Sequence, residues 1–230
     1  MTESAPALKD LFVEGREANN WSIIDGSTQE QDQTIEADVV IIGSGAGGGV
    51  AAEIFSRAGR KVVLVEEGAL YTSRDFDLDE EKAYRSLYQE NLTRTTADGA
   101  IAILQARAVG GTTVVNWTAS FRTPLPTLEY WRQNFGVKGL DESSLAPWFE
   151  RLESRLNIAP WNQHNRNNSL IADGCKQLGI PTKVIPRNVK GCWNLGYCGV
   201  GCPTNAKQSM LVTTIPAALN AKASLLHRVK

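Results

Sequence analysis

A chain of 230 residues has room for one large domain or one and a half, and 42% hydrophobic with 21% charged residues is the composition of an ordinary soluble globular protein. Basic and acidic side chains nearly cancel (24 against 25, net −1), which points away from nucleic acid and from an anionic membrane surface as partners. Residues 1–6 lack the basic and apolar regions of a secretory signal, and the most apolar stretch, 39–55, is broken by five glycines; with four cysteines this predicts a cytoplasmic protein with reduced thiols and no transmembrane segment.

Residues 1–36 are polar apart from short apolar patches at 8–13 and 21–24, and read as a lead-in that packs on the following domain with a short helix and is not a domain of its own. Residues 37–49 hold the organising motif. The unbroken apolar run from Val39 to Ile42 predicts a parallel strand covered on both faces. Gly43-x-Gly45-x-x-Gly48 then matches the dinucleotide fingerprint: one glycine for the tight turn, one for backbone approach to a pyrophosphate, one for close helix–strand packing. Val50, Ala51, Ile54, Phe55 and Ala58 fall on one face of the helix that follows, and Gly59 is placed to end it. Residues 61–65 read as a second buried strand closed by Glu66, which lies 23 residues after Gly43, where such units carry the acid that binds a ribose hydroxyl. Residues 68–98 begin acidic and become helical, with Glu80, Glu81, Lys82 and Arg85 solvated and Tyr84, Leu87 and Tyr88 inward.

Residues 105–118 combine a glycine pair, Gly110 and Gly111, with two hydroxyls, Thr112 and Thr113, then Val114, Val115, Asn116 and Trp117. Paired glycines admit close backbone approach and the hydroxyls can donate to phosphate or ring oxygens, but the same residues also suit a plain turn followed by a β-strand.

Taken together, Gly43-x-Gly45-x-x-Gly48 with Glu66 and Gly68, and Arg107-x-x-Gly110-Gly111-Thr112-Thr113-x-x-Asn116, resemble the N-terminal half of the glucose–methanol–choline (GMC) oxidoreductases, flavoenzymes that oxidise alcohols. The resemblance spans about residues 37–230. It implies an α/β fold, a Rossmann-like FAD-binding domain with part of a second, substrate-side domain, arranged as a lead-in (1–36) and an incomplete GMC-type FAD-binding N-terminal domain (37–230) whose C-terminal catalytic half is absent. It also implies FAD, with Gly43, Ser44, Gly45, Ala46, Gly47 and Gly48 at the pyrophosphate, Glu66 and Glu67 at the ribose end, and Arg107, Gly110, Gly111, Thr112, Asn116, Trp117 and Thr118 at the flavin side. Val115 stands where some members carry the histidine that attaches FAD covalently, so the cofactor is expected to be non-covalent. A nicotinamide-linked dehydrogenase would share the first motif, and the 107–116 motif argues against it.

Residues 115–124, 186–192, 198–203 and 206–209 are similar to the long-chain alcohol oxidase branch, which implies a hydrophobic or long-chain alcohol as substrate and hydride transfer from its carbon to flavin N5. The residues do not name the acceptor that reoxidises the flavin. In the family the histidine base comes from the C-terminal half. Neither His164, in a polar loop, nor His227, in the last strand, matches its motif, so no catalytic residue is expected in this chain, and a flavin-binding module without turnover is the alternative reading.

The remaining elements are a helix over 144–156 burying Leu145, Trp148, Phe149, Leu152 and Leu156, one over 168–178 burying Leu170, Ile171, Cys175 and Leu178, a last helix starting at Pro216, and a strand over 225–230. Cys192, Cys198 and Cys202 are spaced C-x5-C-x3-C, which fits neither zinc nor iron–sulfur patterns, so no metal is expected. By resemblance, their glycine-rich loop packs near the flavin.

Overall fold

The computed structural model describes residue 8 and residues 10–229; the expectation drawn from residues 1–6 lies outside them. Two compact units divide these residues: one is formed by the chain up to Trp117 together with the chain from Gly191 onward, the other by 118–190.

A four-stranded, wholly parallel sheet organises the first unit, with β2 (Val39–Ile42), β3 (Val62–Glu66), β1 (Ser22–Asp25) and β6 (Ser224–His227) in the order β1-β6-β3-β2. β6 lies between β1 and β3, pairing Ser22 with Ser224 on one side and Val63 with Ser224 on the other. The lead-in therefore does more than pack on the domain: it contributes a strand. Four residues, Ser-Ile-Ile-Asp, are too few to show a period. Ahead of β1, helix α1 (Leu11–Asn19) is capped by Asp10, whose Oδ1 accepts from the amides of Phe12 and Val13 at 2.9 and 3.3 Å.

β3 is the sheet's apolar centre: Val62, Val63 and Leu64 are buried. β2 departs from expectation. Among the described residues it is an edge strand paired only with β3, and Val40 and Ile42, on one of its faces, are 59% and 88% exposed. A similar correction applies to helix α2 (Ala46–Arg57). It buries Gly49, Ala52, Glu53 and Ser56, while Ile54 and Phe55 point outward. The buried stripe is set by its neighbour α7 (Thr214–Asn220), which comes so close that a Cβ on Gly49 would sit 2.8 Å from Thr214 Oγ1. Gly59 does follow the helix in the left-handed conformation (φ +78°), as its position predicts. α7 begins two residues before Pro216 and β6 stops at His227, earlier than the strand expected to reach Lys230. Helix α3 (Glu80–Leu87), capped by Asp79, buries Ala83 and Leu87.

The second unit holds α4 (Leu125–Phe135), α5 (Glu142–Arg155), β4 (Ile158–Pro160), α6 (Arg166–Gln177) and β5 (Pro186–Asn188), with β4 and β5 antiparallel. α5 and α6 are where the amphipathic pattern places them, α4 was not expected from the sequence, and the burial differs. Trp148 and Leu152 on α5, Leu170 and Ile171 on α6, and Leu178 just beyond it are exposed, and Cys175 is only half-buried, not core. Two three-residue strands present too little apolar surface to cover two helix faces. Arg122 holds α5 instead through a bidentate pair with Glu153, both N···O distances 2.7 Å.

Candidate cofactor site

The site begins where β2 ends. Gly43 takes φ +88° and its amide donates to Val65 O at 2.7 Å, turning the chain off the edge strand. Two residues later α2 starts with Gly45 as N-cap and no side chain capping its amides, which leaves the positive end of a twelve-residue helix without a protein acceptor from a cap. A side chain at Gly48 is impossible, since its Cβ would lie 1.8 Å from Gly43 O. Ala46 and Gly47 are exposed, and a Cβ at Gly47 would meet nothing within 4 Å. The turn is a cradle of backbone open to a ligand.

Ser44 ties this turn to the rest of the site. It is fully buried, and both its amide and its hydroxyl donate to Glu66 Oε2, at 2.9 and 2.6 Å. Its Oγ in turn accepts from the Gly110 amide at 2.9 Å, so one serine links both sequence motifs. Glu66 Oε1 accepts from the Gly68 amide at 2.9 Å. A carboxylate oxygen has two lone pairs, so among these bonds Oε1 keeps one acceptor position for an outside hydroxyl. Glu67 is exposed and accepts from Gln89 Nε2.

The second motif forms no strand. Gly111–Val114 is a single 3₁₀ turn preceded by Gly110 at φ +96°, and Asn116 N donates back to Thr112 O at 3.0 Å. Backbone packs on backbone here: a Cβ at Gly111 would come within 2.7 Å of Gly45 Cα, and one at Gly68 within 2.3 Å of Ala108 N. Thr112 Oγ1 accepts from Ala106 N at 3.2 Å, while Arg107 is exposed. Trp117 is 63% exposed and lies along Gly199, where an added Cβ would stand 3.1 Å from its ring. Of the residues nominated from sequence, the structure thus gathers Gly43, Ser44, Gly45, Gly48, Glu66, Gly110 and Gly111 in one packed cluster. Thr118 belongs to the second unit. It is buried at φ +65°, and its Oγ1 accepts from Arg187 Nε at 2.7 Å.

A third segment, 198–211, includes part of the glycine- and cysteine-rich loop expected by resemblance near the flavin. Thr113 Oγ1 accepts from Met210 N at 3.0 Å, and the Tyr88 hydroxyl donates to Gly199 O at 2.6 Å. Burial pushes the Tyr88 phenol up to about 12, so it is a permanent donor at neutral pH. Most unexpected is Lys207, 2% exposed, whose Nζ donates to Val114 O, Asn116 O and Cys198 O at 2.7, 2.7 and 2.5 Å. Lysine is almost never fully buried, and nothing in Ala206-Lys207-Gln208 announces it. His164 is exposed, whereas His227 is buried with no hydrogen-bond partner at Nδ1 among the described residues. Among the described residues no group of three or more His, Cys, Asp or Glu side chains is arranged to hold a metal, and no helix is long and apolar enough to cross a membrane.

A parallel sheet, a glycine turn at the end of its edge strand, an acid at the end of the neighbouring strand and a second glycine motif packed on the first define a dinucleotide-binding α/β protein. The chain belongs to the GMC oxidoreductase family, which it matches over residues 84–230. It is 34% identical over 197 residues to one long-chain-alcohol oxidase of Arabidopsis thaliana (85% of this chain, 26% of that protein) and 30% identical over 222 residues to another (96% and 29%). It is 37% identical over 194 residues to an uncharacterized GMC-type oxidoreductase of Mycobacterium tuberculosis (83% and 31%). The chain therefore spans between about a quarter and a third of the length of these relatives. Its fold is similar to that of pyridoxine 4-oxidase from Mesorbium loti, with a TM-score of 0.59, 14% identity, and 84% of this chain and 42% of that one covered. It also resembles an FAD-dependent oxidoreductase from Chaetomium thermophilum (TM-score 0.54, 15% identity, 81% and 38% covered). The cofactor of the family is FAD. The residues present fit it: an uncapped helix start over side-chain-free backbone for a pyrophosphate, and a carboxylate with an acceptor position left for a ribose hydroxyl.

Proposed function

We propose that this chain is the FAD-holding portion of an oxidoreductase acting on the CH–OH group of an alcohol, and that the alcohol is hydrophobic or long-chain. The observation that carries the reading is the Ser44 junction, at which one buried side chain bonds the acid of the first motif and the backbone of the second. The Gly43–Gly48 turn and the start of α2 hold the pyrophosphate. Glu66 takes a ribose hydroxyl, with Glu67 flanking it, and the 107–117 segment, continued by Thr118, lies at the flavin side. Val115 is apolar and buried and offers no atom for a covalent bond, which supports non-covalent binding. FAD, when bound, accepts the hydride of the alcohol carbon at its N5. The substrate class is supported by the long-chain-alcohol oxidases to which the chain is similar.

A second reading, a flavin-binding module without turnover, is favoured by the histidines: one is exposed, the other buried in β6, and neither stands in the clustered motifs. Anaerobic mixing of the FAD-loaded protein with a C12–C16 alcohol separates the two readings. Bleaching of the flavin band supports oxidation. FAD binding with no bleaching supports the module, and failure to bind FAD removes both.

A further inference from the structure

Lys207 is used by neither motif, yet its ammonium is the meeting point of three segments. An ammonium has three N–H donors, and here each reaches a backbone carbonyl: Val114 and Asn116, which bracket the end of the 3₁₀ turn, and Cys198, the middle thiol of the cysteine-rich loop. Charge-assisted bonds of this length are among the stronger ones in a protein, and in a water-excluded interior they fix the carbonyls they hold. The same lysine is anchored along its own backbone, where its amide donates to Cys202 Sγ at 3.4 Å, and three residues on, Met210 N donates to Thr113 Oγ1. Segment 207–210 thus grips 113–116 at the Thr113 hydroxyl and at the Val114 and Asn116 carbonyls. On the other side Gly199, next to the gripped Cys198 carbonyl, is held by the Tyr88 hydroxyl and lies against the Trp117 ring.

We infer that Lys207 is a positioning residue for the flavin side of the site. By gripping the Val114 and Asn116 carbonyls it sets where Asn116 and Trp117 stand, and it keeps a fixed positive charge behind that backbone. The inference rests on the FAD reading above. Its chemistry is specific: a flavin gains negative charge on reduction, and a buried cation near it favours the reduced form. Neutral methionine of similar length would leave three carbonyls without their donor and remove the charge. Arginine keeps the charge, but its planar fork cannot reproduce a three-way grip.

The test uses Lys207→Met and Lys207→Arg in the FAD-loaded protein, reading FAD affinity, the flavin absorption band, the flavin midpoint potential and the melting temperature. The expected result is FAD binding weakened about tenfold in Lys207→Met, the cost of about 1.4 kcal/mol for a displaced flavin-side backbone, with a shifted band and a lower midpoint potential. Lys207→Arg should recover the potential but only part of the affinity. If both variants melt earlier yet bind FAD with the parent's affinity, band and potential, Lys207 merely holds the fold and the inference is overturned. Should Lys207→Met fail to fold, Lys207→Arg decides: weaker binding with a shifted band supports positioning, and parental values refute it. A parent protein that binds no FAD overturns the underlying functional reading instead.

Discussion

Ser44 occupies an unspecified position of the fingerprint, and no spacing rule marks it, yet it makes three of the bonds that hold the site together. Its hydroxyl is at once a donor to Glu66 and the acceptor for the buried Gly110 amide. Ser44→Ala removes both roles, and a buried amide left without an acceptor costs about 1–3 kcal/mol. Ser44→Ala should therefore unfold at a clearly lower urea midpoint with an unchanged slope, and bind FAD more weakly because Glu66 loses a donor that orients it. Equal midpoints for parent and variant would mean that Gly110 finds another acceptor. Glu66 itself was legible from its distance to Gly43, since an acid at the end of the second strand follows from the geometry of the unit. What could not be read is that its carboxylate is part of the scaffold, taking three donations from Ser44 and Gly68 before any ligand arrives.

At the scale of elements, the run from Val39 to Glu66 was readable because strand, glycine turn and helix have different periods and a glycine at each change. The buried faces were harder. Periodicity says that α2 has an apolar stripe, but α7, which comes from more than 150 residues later, selects Gly49, Ala52 and Ser56 and leaves Ile54 and Phe55 outside. The same holds for β2, α5 and α6, whose apolar residues lack a covering neighbour among the described residues. On β6, His227 is 5% exposed with Nδ1 buried: burial pulls its pKa below the ordinary value, against the opposing pull of Asp25 and with help from Arg228 and Arg16. A histidine kept neutral by the fold binds its proton more readily when unfolded. Its contribution to stability is thus complete above about pH 6.5 and is lost as the pH falls from there toward the folded pKa, at no more than about 1.4 kcal/mol per pH unit for one group. Melting curves from pH 8 to 5 should show that decline, and a buried neutral replacement, His227→Leu, should flatten it. A parent that melts at the same temperature at pH 5.5 and 7.5 would contradict this.

For the whole molecule, chain order and spatial order differ in a way that sets its folding. The first unit is discontinuous: its strands come from residues 22–66 and again from 224–227, with the 118–190 unit inserted between. β6 is the latest of these four strands in chain order and the one this sheet cannot lack, because among the described residues β1 pairs only with β6 and β3 reaches β1 only through it. Its Leu225 is fully buried, and the 198–211 segment that braces the second motif lies on the same late stretch of chain. Pairing across about 200 residues is a slow, entropically costly contact, so sheet and cofactor site should assemble together, and only after residue 227 is available. A chain ending at residue 190 tests this directly. It should keep helical signal in circular dichroism but lose the cooperative melting transition, show no protected amides in β3 by hydrogen exchange, and bind no FAD. A sharp transition with protected β3 amides in that fragment would show that β2 and β3 form a stable sheet without their central neighbour, and that the late segment only decorates a site already built.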